Sequence, residues 1–323
     1  MDVGRLNLFL SGLQAGICSS GWLPAAARAD SIMFSEFLQY LFTGITIGAT
    51  YALIALGFTL IYNASHVINF AQGEFLMIGG MATVSLMSMG VPMLLAIVLA
   101  VVLAGVMGIA LQRLAIAPAK DANVVTLIII TIGASIFIRG LAQLVWGKEF
   151  HVMPNFSSDE PIQIFGAVLN SQSLWVLGVG AVLVGVLVYF FTRTMTGKAI
   201  LATSMNKDAA RLVGIRTQMV LMLAFMVSAL LGSVAGIVVA PITFTSYDIG
   251  IILGLKGFVA AAIGGLGSGV GAVVGGLALG VVEAMTAGYL SSDYKDAVAF
   301  SMILLVLFFM PRGLFGAKVV ERV

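Results

Sequence analysis

A lysine and two glutamates stand where this chain least accommodates charge. Lys256 follows Ile251, Ile252, Leu253 and Leu255 and precedes Phe258. Glu283 lies between Val282 and Ala284, deep in an apolar run, and Glu74 stands near the start of another. A lysine at the centre of a membrane helix costs about 2.5–3.5 kcal/mol on insertion scales, so such groups usually face a bundle interior or water. Their chemistry is the guidance of polar cargo, and the three are candidate translocation-pathway residues. Lys256 also fits snorkelling from the outer interface, because Asp248 precedes it closely. Glu74 also fits a helix-dipole role, worth about 0.3–1 kcal/mol in a first turn. Either Glu283 or Glu74 could pair with Lys256, and spacing does not choose. Arg139 reads as a structural residue near the outer interface.

Other reactive groups are scarce. Cys18 is the single cysteine and His66 and His151 are the two histidines, each read as a loop residue. One thiol forms no disulfide within the chain, and this inventory suggests no metal centre. No Ser/His/Asp or Cys/His arrangement suggests an enzyme. The nearest fragment to a phosphate-binding loop, Gly197-Lys198, lacks the upstream glycine and is followed by alanine. ATP is therefore not bound through a P-loop of this chain, and no cofactor is expected. The 17 methionines are dispersed and read as packing or lipid-facing residues.

The apolar monotony breaks between Arg193 and Thr217. That interval carries Arg193, Lys198, Lys207, Arg211 and Arg216 against one acid, Asp208. Leu201, Met205, Ala209 and Leu212 fall on one helical stripe, and Gly214 is a natural stop. A short basic amphipathic helix outside the bilayer is predicted. It could be a positive-inside anchor or a docking helix for a soluble partner.

Composition sets the class that must position these groups. Hydrophobic residues make up 60% of the 323 and charged ones 9%, with a mean hydropathy of +1.12. A soluble domain is about 25% charged. The chain therefore reads as an all-α integral membrane protein, a polytopic helical bundle. Nucleic-acid binding has no support, since no basic face exists outside the loops.

Residues 1–30 have the outline of a secretory leader, with Arg5, a weak apolar stretch and Ala27-Arg28-Ala29 before Asp30. A start codon assigned too early, with Met33 first, explains them equally. Spans are then predicted over about 37–62, 70–89, 92–114, 124–146, 172–191, 218–240 and 297–310. Gly44 and Gly48 offer a small-residue packing face in the first. Asn69 and Gln72 resemble a capping box opening the second. The glycine-dense stretch 250–290 fits two crossings around a tight turn near Ser268, or one crossing and a re-entrant piece. Pro154 and Pro161 exclude a helix across those points of the 147–171 loop, which carries more acid than base. With the basic 193–217 loop and C-terminal tail inside, about eight or nine spans close the topology, with the N-terminus outside.

Three stretches then carry a resemblance. They are YALIALGFTLIYNASHVINFAQGEFLMIGG (51–80), GKAILATSMNKDAARLVGI (197–215) and the run from Lys256 to Gly316 that contains LSSDYKD. Together they resemble the smaller inner-membrane permease of branched-chain amino acid ABC importers, in register from about Phe34 to the C-terminus. Urea and short-chain amide permeases share the first two stretches. Gln72 stands where many relatives carry histidine, and residues 1–30 have no counterpart that such permeases need. The resemblance implies residence in the bacterial inner membrane. It also implies a second permease, usually a different chain, two ATPases and a periplasmic binding protein. It makes 193–217 the coupling element, with Gly197 and Gly214 at its ends, Lys198 within it, and Asn206, Asp208, Ala210 and Leu212 at its surface. An ion-gradient-driven transporter or a channel subunit remains the alternative class.

Overall fold

The computed structural model describes residues 25–119, 122–157, 161–164 and 167–316. Most of the leader-like segment and the residues Lys318 and Arg322 lie outside them. Eleven α-helices make up the described fold: α1 (Ala25–Ser65), α2 (Gln72–Ser88), α3 (Met93–Leu111), α4 (Val124–Trp146), α5 (Ser171–Arg193), α6 (Met195–Met205), α7 (Lys207–Leu212), α8 (Thr217–Thr243), α9 (Ile249–Gly264), α10 (Gly269–Tyr289) and α11 (Lys295–Phe309). A π-helical turn, Gln112–Ile116, extends α3. A two-stranded hairpin, Ile162–Ile164 with Ala167–Leu169, occupies part of the acidic loop.

Among the described residues, six helices are long and apolar enough to cross a membrane: Met33–Ser65, Met93–Ile116, Val124–Trp146, Ser171–Arg193, Thr217–Thr243 and Gly269–Tyr289. The remaining membrane-type helices, α2, α9 and α11, are shorter, at 17, 16 and 15 residues. The polytopic helical bundle is therefore established, and the count of eight or nine crossings is not.

The centre is α1, packed against α10, α8, α9 and α5. Small residues allow the closest approach, between α1 and α10. A Cβ on Gly44 would lie 2.7 Å from the Val281 Cα, and one on Gly276 would run into the Ala52 backbone. The small face read around Gly44 and Gly48 thus meets the glycines of α10. Between α9 and α10, Gly265 and Gly267 take φ of +100° and +96°, a tight turn that residues with a Cβ rarely make. It falls beside Ser268, whose hydroxyl caps α10 by accepting from the Gly271 N–H.

Loops gather at two ends. At the basic end the Asn63 amide donates to the Gly267 carbonyl, and the Leu314 and Phe315 N–H groups donate to Ile263 and Gly264. At the opposite end His151 bridges to Thr245, and the Val168 N–H reaches the Gln39 side chain.

The structure corrects the sequence reading of the basic interval and of the start of α2. The basic interval is not one helix. It breaks at Asn206, whose extended backbone ends α6 and whose carboxamide oxygen accepts from the Asp208 and Ala209 N–H groups to start α7. An asparagine that caps so well competes with helix continuation. Its supposed apolar stripe also faces outward: Leu201, Met205 and Leu212 are exposed, while Gly197, Ile200, Thr203 and Ala210 turn inward. The second correction concerns Asn69 and Gln72, which form no capping box. Asn69 Oδ1 accepts from the Ala71 N–H in an Asx turn, and α2 begins at Gln72.

Candidate functional site

The charges buried in the bundle resolve into two separate groups. In the first, Lys256 Nζ lies 2.6 Å from Glu283 Oε1 and 2.6 Å from Asp296 Oδ1. Tyr51 donates its hydroxyl to Glu283 Oε2 at 2.8 Å, and the ammonium stands 5.7 Å from the Tyr51 ring. The Lys256 and Glu283 side chains are 5% and 6% exposed, while Asp296 is 50% exposed. Lys256 therefore faces the interior, and Glu283, not Glu74, is its partner. Four helices, α1, α9, α10 and α11, meet at this cluster. The sequence reading missed Asp296 and Tyr51. Asp296 sits in the first turn of α11, within the LSSDYKD run that served only as a marker of resemblance.

Glu74 belongs to a second group, on α2. Its Oε1 accepts from the Ser135 hydroxyl at 2.6 Å, and its Oε2 is buried without a hydrogen-bond partner. Beside it, Gln72 is fully buried and bound to α8: Ser228 Oγ donates to Gln72 Oε1 at 2.6 Å, and Gln72 Nε2 donates to the Ser228 carbonyl at 3.2 Å. Gln72 thus ties α2 to α8, and Ser135 ties α4 to α2. Neither contact has a sequence-local signature.

At the basic end, α6 and α7 form a bent pair beyond the apolar helices. Thr194 caps α6 by accepting from the Gly197 N–H, and Gly197 packs so closely on Phe190 that a Cβ would strike its carbonyl. Lys198 and Asp208 are exposed. Asp208 pairs loosely with Arg211 at 3.5 Å, and Arg211 Nε donates to Thr217 Oγ1. Gly214 ends the pair with φ of +88°. Leu212 is 89% exposed and Met205 87%. Ala210, read from the sequence as part of the surface, is 3% exposed and packs inward. A hollow of about 790 Å³ opens alongside, lined by Arg113, Arg211 and Arg216.

His151 forms a backbone bridge with Thr245, and its ring Nε2 lies 3.4 Å from the Trp146 carbonyl. His66 is exposed and ends α1 with φ of +57°.

A helical bundle with buried paired charges and an exposed basic bend at one end defines a multi-pass membrane transport subunit. The family model for the branched-chain amino acid transport system permease component matches residues 40–307, and the chain belongs to that family. The high-affinity branched-chain amino acid transport system permease LivH of Escherichia coli is 36% identical, over 91% of this chain and all of LivH. BraD of Pseudomonas aeruginosa, named likewise, is 34% identical over 89% of this chain and 98% of BraD. The solved structure of PsaBC from Streptococcus pneumoniae with a Fab matches over 90% of this chain and 97% of that chain, at 18% identity and a TM-score of 0.44. LivH and BraD are transport permease subunits, not enzymes.

Proposed function

We propose that this chain is the smaller permease of an ATP-driven importer carrying branched-chain amino acids from periplasm to cytoplasm across a bacterial inner membrane. A second, different permease would complete the path, a periplasmic binding protein would deliver cargo, and two separate ATPases would supply energy. The names of LivH and BraD support the cargo. The observation that carries the coupling is the bent pair α6–α7. It holds Met205 and Leu212 almost fully exposed at the basic end of a chain that has no P-loop of its own. Apolar side chains held in water beside cations suit a soluble partner's cleft. Lys198, Asn206, Asp208 and Leu212 would edge that contact, with Gly197 and Gly214 setting its ends and Ala210 bracing it from below. Glu74, Lys256 and Glu283 would line or brace the pathway.

The test is reconstitution. The chain is co-expressed with a second permease, ATPases and a binding protein of a branched-chain amino acid importer, and leucine uptake is followed in proteoliposomes. Uptake that requires ATP and all components supports the reading. Uptake that persists without the ATPases and collapses with the proton gradient overturns it.

A further inference from the structure

The segment between α1 and α2 turns back into the bundle. His66 N–H donates to the Tyr62 carbonyl at the basic end, and the chain then runs inward through Val67 to Ala71. Phe70 N–H donates to Thr131 Oγ1, well inside α4, and the Phe70 ring packs 5.5 Å from Phe258, past the middle of α9. Gln72 bonds Ser228, eleven residues into α8, and a Cβ on Gly73 would strike the Gly250 carbonyl near the far end of α9. At 1.5 Å per residue, Ser228 stands about 17 Å from the start of α8, close to half of a hydrocarbon core about 30 Å thick. The first turn of α2 therefore lies near mid-depth, its Gln72 and Glu74 N–H groups donating to the Asn69 and Ala71 carbonyls.

Such a helix start carries positive partial charge. Two side chains beside it hold polar atoms that the fold leaves unused. Asn69 is 0% exposed and its Nδ2 has no hydrogen-bond partner. Glu74 is 1% exposed and its Oε2 has none. An unused donor and an unused anionic acceptor next to one buried helix start complement a small zwitterion, and leaving such atoms unpaired is costly. Discontinuous helices that start at mid-membrane are a recurrent way to build a transport site.

The cover over this spot is light. Only Thr131, Ile138 and Ala142 of α4 are buried. Its polar ties to the spot are Thr131, which accepts from Phe70 N–H, Ser135, which donates to Glu74, and Arg139, one turn further along, whose charge acts on the Glu74 carboxylate.

We propose that the buried start of α2 is the mid-membrane station for an α-amino acid: Glu74 Oε2 receives its ammonium group, Asn69 Nδ2, in the positive field of the helix start, receives its carboxylate, and α4 moves aside to admit it. The inference rests on the import reading above and adds the group that each end of the cargo meets. Gln72, bound on both its polar atoms to α8, holds the start of α2 in place and takes no part in the contact.

The experiment uses the complete importer in proteoliposomes. Glu74→Gln keeps the acceptor for Ser135 and removes the charge; Asn69→Asp keeps the acceptor for the Ala71 N–H and removes the donor. Each lowers leucine uptake about tenfold or more, as loss of a charge-assisted contact does. ATP hydrolysis stimulated by loaded binding protein stays within about twofold of wild type, because the coupling end is untouched. Uptake by either variant near the wild-type rate overturns the proposal. A second readout needs no variant. Photo-leucine, a diazirine analogue that keeps both charged groups, is supplied to the wild-type importer and irradiated during turnover. Adducts in 67–78 or 128–139 support the station, and adducts confined elsewhere overturn it. Wild-type importer that moves no leucine overturns the cargo reading as well, which separates the two failures.

Discussion

Lys256 shows why a buried charge must be read with its partners. It is held between Glu283, which is as buried as itself, and Asp296, which is half exposed. Removing one member of a buried pair leaves an uncompensated charge and costs about 3–5 kcal/mol. Lys256→Met therefore strands Glu283, and thermal unfolding of the purified protein in detergent shifts down strongly. Asp296→Asn costs much less, because water screens that side of the contact. Equal shifts for the two variants would contradict this ordering. Lys256 and Glu283 were legible in the sequence because each interrupts an apolar run. Their pairing was not, since α9 and α10 are joined by a turn whose geometry alone brings them face to face. Tyr51 was invisible for the opposite reason: a tyrosine in a membrane helix is unremarkable until an acid appears across from its hydroxyl. Glu74 was legible as a charge, but Ser135 as its partner depended on how α4 lies over α2.

At the scale of elements, glycine decides where helices touch. Gly276 and Gly280 of α10 meet the backbone of α1 at Ala52 and Gly48, with no room for a Cβ. Gly276→Val forces the two helices apart, and overpacking of this kind costs about 1–3 kcal/mol. Gly133 of α4 has open space around the same position. Gly133→Ala is neutral or gains about 0.4–1 kcal/mol by restricting the unfolded chain. Measuring both by chemical unfolding in one detergent separates packing glycines from free ones; comparable losses at the two sites would remove the distinction. The sequence pattern exposed the small face near Gly44 and Gly48 and the glycine run of α10, but not that they are two halves of one contact. Helix boundaries were legible wherever apolar runs ended at Pro, Gly or a charge. They failed at Asn206, where the helical stripe continued while the asparagine's own hydrogen bonds ended the helix. At the second span the expected start near Phe70 lies two residues from the observed one, but nothing in the sequence showed that 66–71 turns inward as irregular backbone instead of starting a span at the membrane surface.

For the whole molecule, the proposed function raises the question of how work done by a separate ATPase would reach the buried charges. The bend at Asn206 fixes the angle between α6 and α7, and α7 leads through Gly214 into α8, which carries Ser228 and so holds Gln72. On the proposed coupling, a push on α7 would be passed along α8 to the start of α2. Asp208 is the cleanest place to interrupt that push. Its side chain is 88% exposed, and its contact with Arg211 at 3.5 Å is a surface pair of little worth. Asp208→Arg therefore leaves folding and membrane insertion intact. In the reconstituted importer it separates ATP hydrolysis from uptake, so that hydrolysis continues while leucine entry falls about tenfold or more. Asn206→Arg gives the same loss of entry together with loss of the α7 cap, worth about 1 kcal/mol, and shows raised protease sensitivity in 205–213. Leu212→Arg replaces an apolar side chain that is almost fully exposed and acts as Asp208→Arg does. Ala210→Arg, by contrast, buries a charge under α7 and lowers the yield of assembled complex before any transport is measured. Full leucine entry with Asp208→Arg and Leu212→Arg together would mean that the force enters elsewhere on the basic end.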